Sequence, residues 1–140
     1  MLIVVIDGMG GGIGTQLVAQ LSGQIPAGAE IVCVGANAWA TQSMLKAGAS
    51  RGATGENAVR VTVQTADIVT GPIGIIIPNA LMGEITPNMA EAIASSAARK
   101  VLVPVSQGHF EIVGVENRPL VTNIREAAAR ILEIVSGMKG

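Results

Sequence analysis

The feature that most constrains the fold is a short apolar run followed at once by a loop with five glycines and then by a helical pattern. The apolar run, residues 2–6, has the length of a buried strand and is too short for a helix. The loop covers residues 7–14, after which Leu17, Val18 and Leu21 recur on one helix face. The sequence therefore predicts a strand, a glycine loop and a helix, in that order.

A loop of this kind is suited to binding phosphate. Glycines let the backbone approach a ligand closely, and the helix that follows offers unpaired N–H groups and the positive end of its dipole. We therefore expect a nucleotide-type small molecule as partner, NAD(P) or another nucleotide. The predicted cofactor-binding residues of the loop are Asp7, Gly8, Met9, Gly10, Gly11, Gly12, Ile13 and Gly14.

Strand and helix patterns alternate along the rest of the chain. Further strands are predicted at residues 30–35, 67–71, 100–104 and 111–115. Helices are predicted after Asn37, after Thr86 with Pro87, and over the amphipathic stretch 124–135. This alternation predicts an α/β fold with a single doubly wound, mainly parallel sheet of about five strands, Rossmann-like, in one domain over residues 1–140.

Two segments between these elements are harder to assign. Residues 49–57 are polar and contain glycines, so we predict a loop at the sheet edge. Residues 59–64 alternate as a strand does, but Thr54 followed by Glu56 is typical of a helix start. The dipeptide Thr65-Ala66 has no tight-hairpin signal, so a helix is the better prediction.

Composition excludes several classes of function. The net charge is −1, with nine Lys plus Arg and only Trp39 and Phe110 as aromatics, which argues against nucleic acid. No apolar run reaches the ~18 residues of a membrane span, and no signal peptide is visible, so we expect a cytoplasmic protein with no membrane partner. Charged residues are only 14%, which favours a homo-oligomer. Cys33 lies in an apolar run and is predicted to be a buried thiol.

Polar residues at the carboxyl ends of the strands complete the predicted site. Asn37, Gly71 and Pro72 should meet Asp7 there, together with residues 106–107. Asn37 either reads a base or ribose or caps a helix. Asp7 either holds a ribose, an amine or Mg²⁺, or accepts hydrogen bonds from the N–H groups of its own loop.

A second group of polar residues is a possible ligand loop. It consists of Thr54, Glu56, Asn57 and Asn79, of which the first three are equally typical of a helix start. Asn79 and Glu84 flank a segment that could act as a lid. One alternative function is a small reductase or transferase completed by Glu56, Asn57 or Glu84, and another is a structural subunit without ligand.

The sequence contains no recognisable catalytic constellation or metal-binding cluster. His109 has no cysteine nearby in sequence, so no metal is predicted and a role in a turn is expected. No G-x-S-x-G or Walker A pattern is present. The catalytic residues, if any, are therefore unknown at this level.

The glycine loop resembles known phosphate loops. Its Gly8-x-x-x-Gly12-x-Gly14 spacing resembles the cofactor loop of short-chain dehydrogenases. The second strand ends in residues 35–37, Gly-Ala-Asn, rather than in the acid that those enzymes use for a ribose, and the chain has no tyrosine for their Tyr-x-x-x-Lys pair. Hydride transfer by that mechanism is therefore excluded. Residues 10–15 are also similar to the phosphate loop of tubulin-like GTPases.

A broader resemblance covers nearly the whole chain. Its motifs are residues 6–14, 35–41, 53–58, 71–75 and 89–96, which read IDGMGGGIG, GANAWAT, ATGENA, GPIGI and MAEAIASS. Together they resemble a small bacterial family known only as a domain of unknown function. The resemblance implies a Rossmann-like fold, and it implies neither a substrate nor an activity.

Overall fold

The computed structural model describes residues 1–105 and 110–137. In these residues five strands alternate with five α-helices and one 3-10 helix. The strands are β1 (Leu2–Asp7), β2 (Glu30–Gly35), β3 (Arg51–Thr54), β4 (Ile68–Pro72) and β5 (Arg99–Val103). The helices are α1 (Gly12–Leu21), α2 (Ala38–Ala47), α3 (Glu56–Thr62), α4 (Pro87–Ser95) and α5 (Leu120–Val135), with the 3-10 helix at Ile73–Ile76.

The strands form one parallel sheet in the order β3-β2-β1-β4-β5. In this order β1 is central, and the chain moves outward first through β2 and β3 and then through β4 and β5. The predicted α/β fold with a doubly wound, parallel, Rossmann-like sheet of five strands is confirmed. The order reverses between β1 and β4, which pair in register from Ile3 opposite Ile68 to Val5 opposite Thr70.

Helices cover both faces of the sheet, as the apolar strands require. Alternate residues of β1 face opposite sides, so Ile3 and Val5 pack beneath α1, α2 and α5, whereas Val4 and Ile6 pack beneath α3 and α4. Cys33 lies fully buried in the first of these two cores. Within the described residues, no helix combines the length and the apolar character that crossing a bilayer requires.

The helix boundaries follow the signals in the sequence. The Asn37 side chain accepts the N–H of Ala40 at the start of α2, and Thr86 accepts that of Met89 at the start of α4, with Pro87 as the first helical residue. Residues 56–62 form α3, so the prediction of a helix in that region is correct.

Two segments differ from the prediction. Residues 49–57 were expected to be a loop, but Arg51–Thr54 form edge strand β3, which pairs with Val32–Gly35 of β2. All four residues of β3 are exposed, so the strand has no apolar pattern and its backbone pairing alone defines it. Residues 111–115 were expected to be a strand, but they adopt turn and irregular structure, with Val113 fully exposed. An alternating sequence forms a strand only where a partner edge accepts its hydrogen bonds.

Candidate functional site

The glycine loop connects β1 to α1 in one tight turn. The N–H of Gly11 donates to the carbonyl of Gly8 over 2.8 Å, and Gly11 has a left-handed backbone with φ 73°. A Cβ atom at Gly11 would lie 2.9 Å from the Cα of Ala40 in α2. Glycine is therefore required here both by conformation and by the close approach of α2.

Asp7, the last residue of β1, holds the loop in this shape. Its side chain is only 4% exposed, Oδ1 accepts the N–H of Gly8 over 2.8 Å, and Oδ2 accepts that of Gly14 over 2.7 Å. Burial raises the pKa of this carboxyl, the N–H groups of Gly14, Gly8 and Ile13 lower it, and the charge of Glu84 raises it again, with a raised pKa as the result. Two roles were considered for Asp7, holding a ligand or accepting hydrogen bonds from its own loop. The structure contains the hydrogen bonds of the second role.

The other loop glycines fall into two groups. A Cβ at Gly8 would lie 2.7 Å from Glu84 Oε1, and one at Gly14 would lie 2.5 Å from Met44 Sδ and 2.9 Å from Asp7 Cβ. Packing therefore requires glycine at both positions. Among the described residues, nothing lies within 4 Å of the corresponding Cβ position at Gly10 or at Gly12, and neither residue has a positive φ. Packing does not require glycine at these two positions.

A cavity of about 240 Å³ lies above the loop. Besides residues 7–13 it is lined by Pro72, which follows Gly71 at the end of β4, and by Leu81 and Val105. The cavity therefore lies at the carboxyl ends of the central strands, where the strand order reverses and where ligands bind in doubly wound folds.

The segment 77–86, here called the strap, crosses the carboxyl ends of β1 and β2. It contains Leu81, Met82 and Gly83 in succession with positive φ values of 57°, 57° and 87°, so its turn is tight. The next residue is half-buried Glu84, whose Oε1 accepts the N–H of Met9 over 2.5 Å and whose Oε2 accepts Asn37 Nδ2 over 2.7 Å. The Glu84 carboxylate thus joins the strap to the glycine loop and to the end of β2.

Asn37 lies next to the loop and Gly71 lies beside Ile6 of β1, and both have structural contacts. Asn37 Nδ2 donates to Met9 O over 2.9 Å as well as to Glu84, and its Oδ1 caps α2. A Cβ at Gly71 would collide with the carbonyl oxygen of Ile6. Gly71 therefore allows β4 to approach β1 closely.

The possible ligand loop lies apart from this cavity. The Thr54 hydroxyl bonds to that of Thr41 over 2.7 Å, and Glu56 Oε1 accepts the Thr86 hydroxyl over 2.5 Å, which links the starts of α3 and α4. Asn57 is exposed. Asn79 forms part of the strap, where its N–H donates to Ile85 O over 2.7 Å.

Sequence reasoning missed two cavity-lining residues, Leu81 and Val105. Both are apolar residues in irregular segments, and neither has a signal in the sequence that distinguishes it from a core residue. Residues 106–107 and His109, also considered above, lie outside the described residues. In the part of the chain that the structure describes, no three His, Cys, Asp or Glu side chains come together that could hold a metal.

The fold and this loop define the class: an α/β protein with a doubly wound parallel sheet and a glycine loop at the topological switch point. The chain belongs to the family described as "Domain of unknown function (DUF3842)", whose model matches residues 2–136. No match was found among curated proteins. Among solved structures, the chain is similar to a dodecameric FMN-dependent UbiX-like decarboxylase from Escherichia coli O157:H7, with 16% identity and a TM-score of 0.44 over 92% of this chain and 75% of that chain.

Proposed function

We propose that this protein binds the phosphate of a nucleotide-type ligand at residues 10–13 of the glycine loop. The observation that carries the proposal is the presence of glycine at positions 10 and 12, where packing and backbone conformation do not require it. Both residues border the cavity. A side chain at either position would project into space that a ligand could fill.

The available N–H groups support the same region of the loop. Asp7 accepts the N–H groups of Gly8 and Gly14 and is also stabilised by that of Ile13, and Glu84 accepts that of Met9. The N–H of Gly11 donates to Gly8 O. Among the described residues, the N–H groups of Gly10 and Gly12 have no acceptor. The first N–H groups of a helix are free donors, and the dipole of α1 favours an anion there. The phosphate is therefore expected at Gly10 and Gly12.

Isothermal titration of the purified protein with pyrophosphate, AMP, ATP, GTP, NAD⁺ and NADP⁺ tests the proposal. A ligand at about 100 times its Kd should also stabilise the protein by about 2.7 kcal/mol in thermal unfolding. Gly12→Val should abolish binding without unfolding the protein, because no atom of the described residues lies within 4 Å of the new Cβ. The matched control is Gln16→Val, at an exposed position one turn further along α1, and this variant should bind the ligand normally. Absence of binding by all six compounds and by FMN would refute the proposal.

A small enzyme acting on a nucleotide-linked substrate is the second candidate. It is favoured by one observation, the half-buried Glu84 carboxylate beside the loop. The other proposed acid, Glu56, is engaged with Thr86. If turnover of a nucleotide-linked substrate is found, Glu84→Gln should reduce kcat, and unchanged turnover would remove this residue from the mechanism.

We further propose a homo-oligomer. Several large apolar side chains are solvent-exposed in the single chain, namely Trp39 (74%), Met82 (90%) and Val113 (100%). Such surface is often buried between subunits. Light scattering coupled to size-exclusion chromatography should give a mass above 14.2 kDa, the mass of one chain.

A further inference from the structure

The β2 side of the glycine loop is closed by the strap. The Glu84 carboxylate lies between Met9 and Asn37, and Leu81 Cδ1 lies 3.1 Å from the Cβ position of Gly8. In doubly wound dinucleotide-binding proteins a nucleoside lies on this side, where an acid at the end of β2 binds its ribose. Here β2 ends without an acid, and the chain's own Glu84 and Leu81 occupy the adjoining space.

Opening that side would disrupt several contacts at once. Glu84 makes hydrogen bonds to Met9 N–H and to the Asn37 amide, and Asn37 in turn bonds to Met9 O and caps α2. A nucleoside that displaced Glu84 would break both hydrogen bonds of its carboxylate, and the one to Asn37 is partly buried, so its loss is the more costly. A second phosphate would also lie close to two carboxylates, those of Asp7 and Glu84.

The side above β4 and β5 is different, because a large groove lies there. Its volume is about 590 Å³, within the range of small-molecule sites, and its apolar wall is formed by Ile73, Ile76, Ile77, Pro104, Val105 and Phe110. It adjoins the loop cavity, since Val105 lines both and Ile73 follows Pro72 in the chain.

The charges of this groove do not favour a second phosphate. Arg118 is the one cation that lines it among the described residues, and its guanidinium is already held by Asn123 Oδ1 at 2.7 Å and by Glu126 at 2.8 and 2.6 Å. Glu111 and Glu116 also line the groove. An apolar, uncharged group therefore fits it better than a phosphorylated one.

Building on the phosphate site proposed above, we propose that the ligand is a monophosphate ester with an uncharged, largely apolar body. Its phosphate binds at Gly10 and Gly12, and its body lies in the groove above β4 and β5. Glu84 and Leu81 are specificity-determining residues, because they exclude dinucleotides from the β2 side.

Calorimetric titration of the full chain with inorganic phosphate, FMN, AMP and NAD⁺ tests this inference, with riboflavin as the counterpart of FMN that lacks the phosphate. FMN or AMP should bind about tenfold or more tightly than both inorganic phosphate and NAD⁺. Equal affinity for inorganic phosphate and both monophosphates, or tighter binding of NAD⁺, would overturn the inference. If the further inference fails but phosphate compounds bind to the wild-type protein and not to Gly12→Val, the proposed function is still supported. If no phosphate compound binds, the proposed function fails and this inference fails with it.

Variants of the groove provide the second test. Ile73→Gln and Phe110→Gln should each weaken the better-binding monophosphate about tenfold and leave inorganic phosphate unchanged. Phe110 is 59% exposed, so its replacement should not affect folding. Val61→Gln, at a site on α3 that is 57% exposed, is the matched control and should bind normally. Unchanged monophosphate affinity in both groove variants would overturn the inference.

Discussion

The Oδ2 atom of Asp7 lies 2.7 Å from the amide nitrogen of Gly14, so the last residue of β1 is bonded directly to the first turn of α1. Gly14 has no room for a side chain, because a Cβ there would lie only 2.9 Å from Asp7 Cβ. The shape of the glycine loop therefore depends on a strand residue and a helix residue seven positions apart.

This contact leads to a first prediction, on folding stability. Gly14→Ala should lower the free energy of unfolding by about 1–3 kcal/mol, because the new methyl group overpacks Asp7 and Met44. Gly12→Ala, two residues earlier in the same helix, should change it by less than about 0.5 kcal/mol. Urea unfolding of both variants measures the difference. Equal stability of the two variants would contradict the assignment of Gly14 to packing.

A second prediction concerns the pKa of Asp7. Burial and the charge of Glu84 raise this pKa above its ordinary value of 3.8, so Glu84→Gln should bring it down. Because the folded protein then holds the proton more tightly than the unfolded chain, the contribution of Asp7 to stability falls as the pH rises from about 3.8 through the folded pKa. In Glu84→Gln that fall should be smaller. NMR titration of the Asp7 carboxyl, combined with urea unfolding across this range, checks both statements.

A third prediction concerns two buried hydroxyl groups. Thr70 is fully buried in β4, and its Oγ1 has no hydrogen-bond partner among the described residues. Thr70→Val should therefore raise the free energy of unfolding by about 1 kcal/mol, because an unpaired buried hydroxyl is removed. Thr41→Val is the contrasting variant and should destabilise, since the Thr41 hydroxyl accepts the N–H of Gly35 and bonds to Thr54. In thermal unfolding, the two variants should change the free energy of unfolding in opposite directions. A change of the same sign in both would contradict the assignment of Thr70 as unpaired.

A fourth prediction separates structural from ligand-binding roles at Glu56. Its carboxylate accepts the Thr86 hydroxyl, so Glu56→Ala should destabilise the protein by about 1 kcal/mol by loosening the starts of α3 and α4. The affinity for any phosphate ligand should stay unchanged. Asn57→Ala, at an exposed neighbour, should alter neither quantity. A loss of affinity in Glu56→Ala at normal stability would instead place Glu56 in the ligand site.

Two predictions were incorrect, a loop at residues 49–57 and a strand at residues 111–115, and they have a common physical cause. β3 has a polar sequence and was predicted as a loop, yet it pairs with β2 and is supported by Gly52, whose Cβ position lies 2.9 Å from Cys33 Sγ. Residues 111–115 alternate as a strand does, but they are not part of the sheet. Pairing at a sheet edge depends on which strand edge is free and within reach, and that information is not local to either segment.

The sequence by itself determined the buried strands, the capped helices and the glycine loop, because hydrophobic periodicity, helix caps and glycine are local signals. It also showed that β2 lacks the acid used for a ribose. Only the tertiary structure decided which residues of the chain form hydrogen bonds with the glycine loop. Asp7 bonds across seven residues to Gly14, and Glu84 reaches Met9 from 75 positions away in the sequence. Contacts at such separations arise from the folding of the whole chain, which brings the strap to the end of β2.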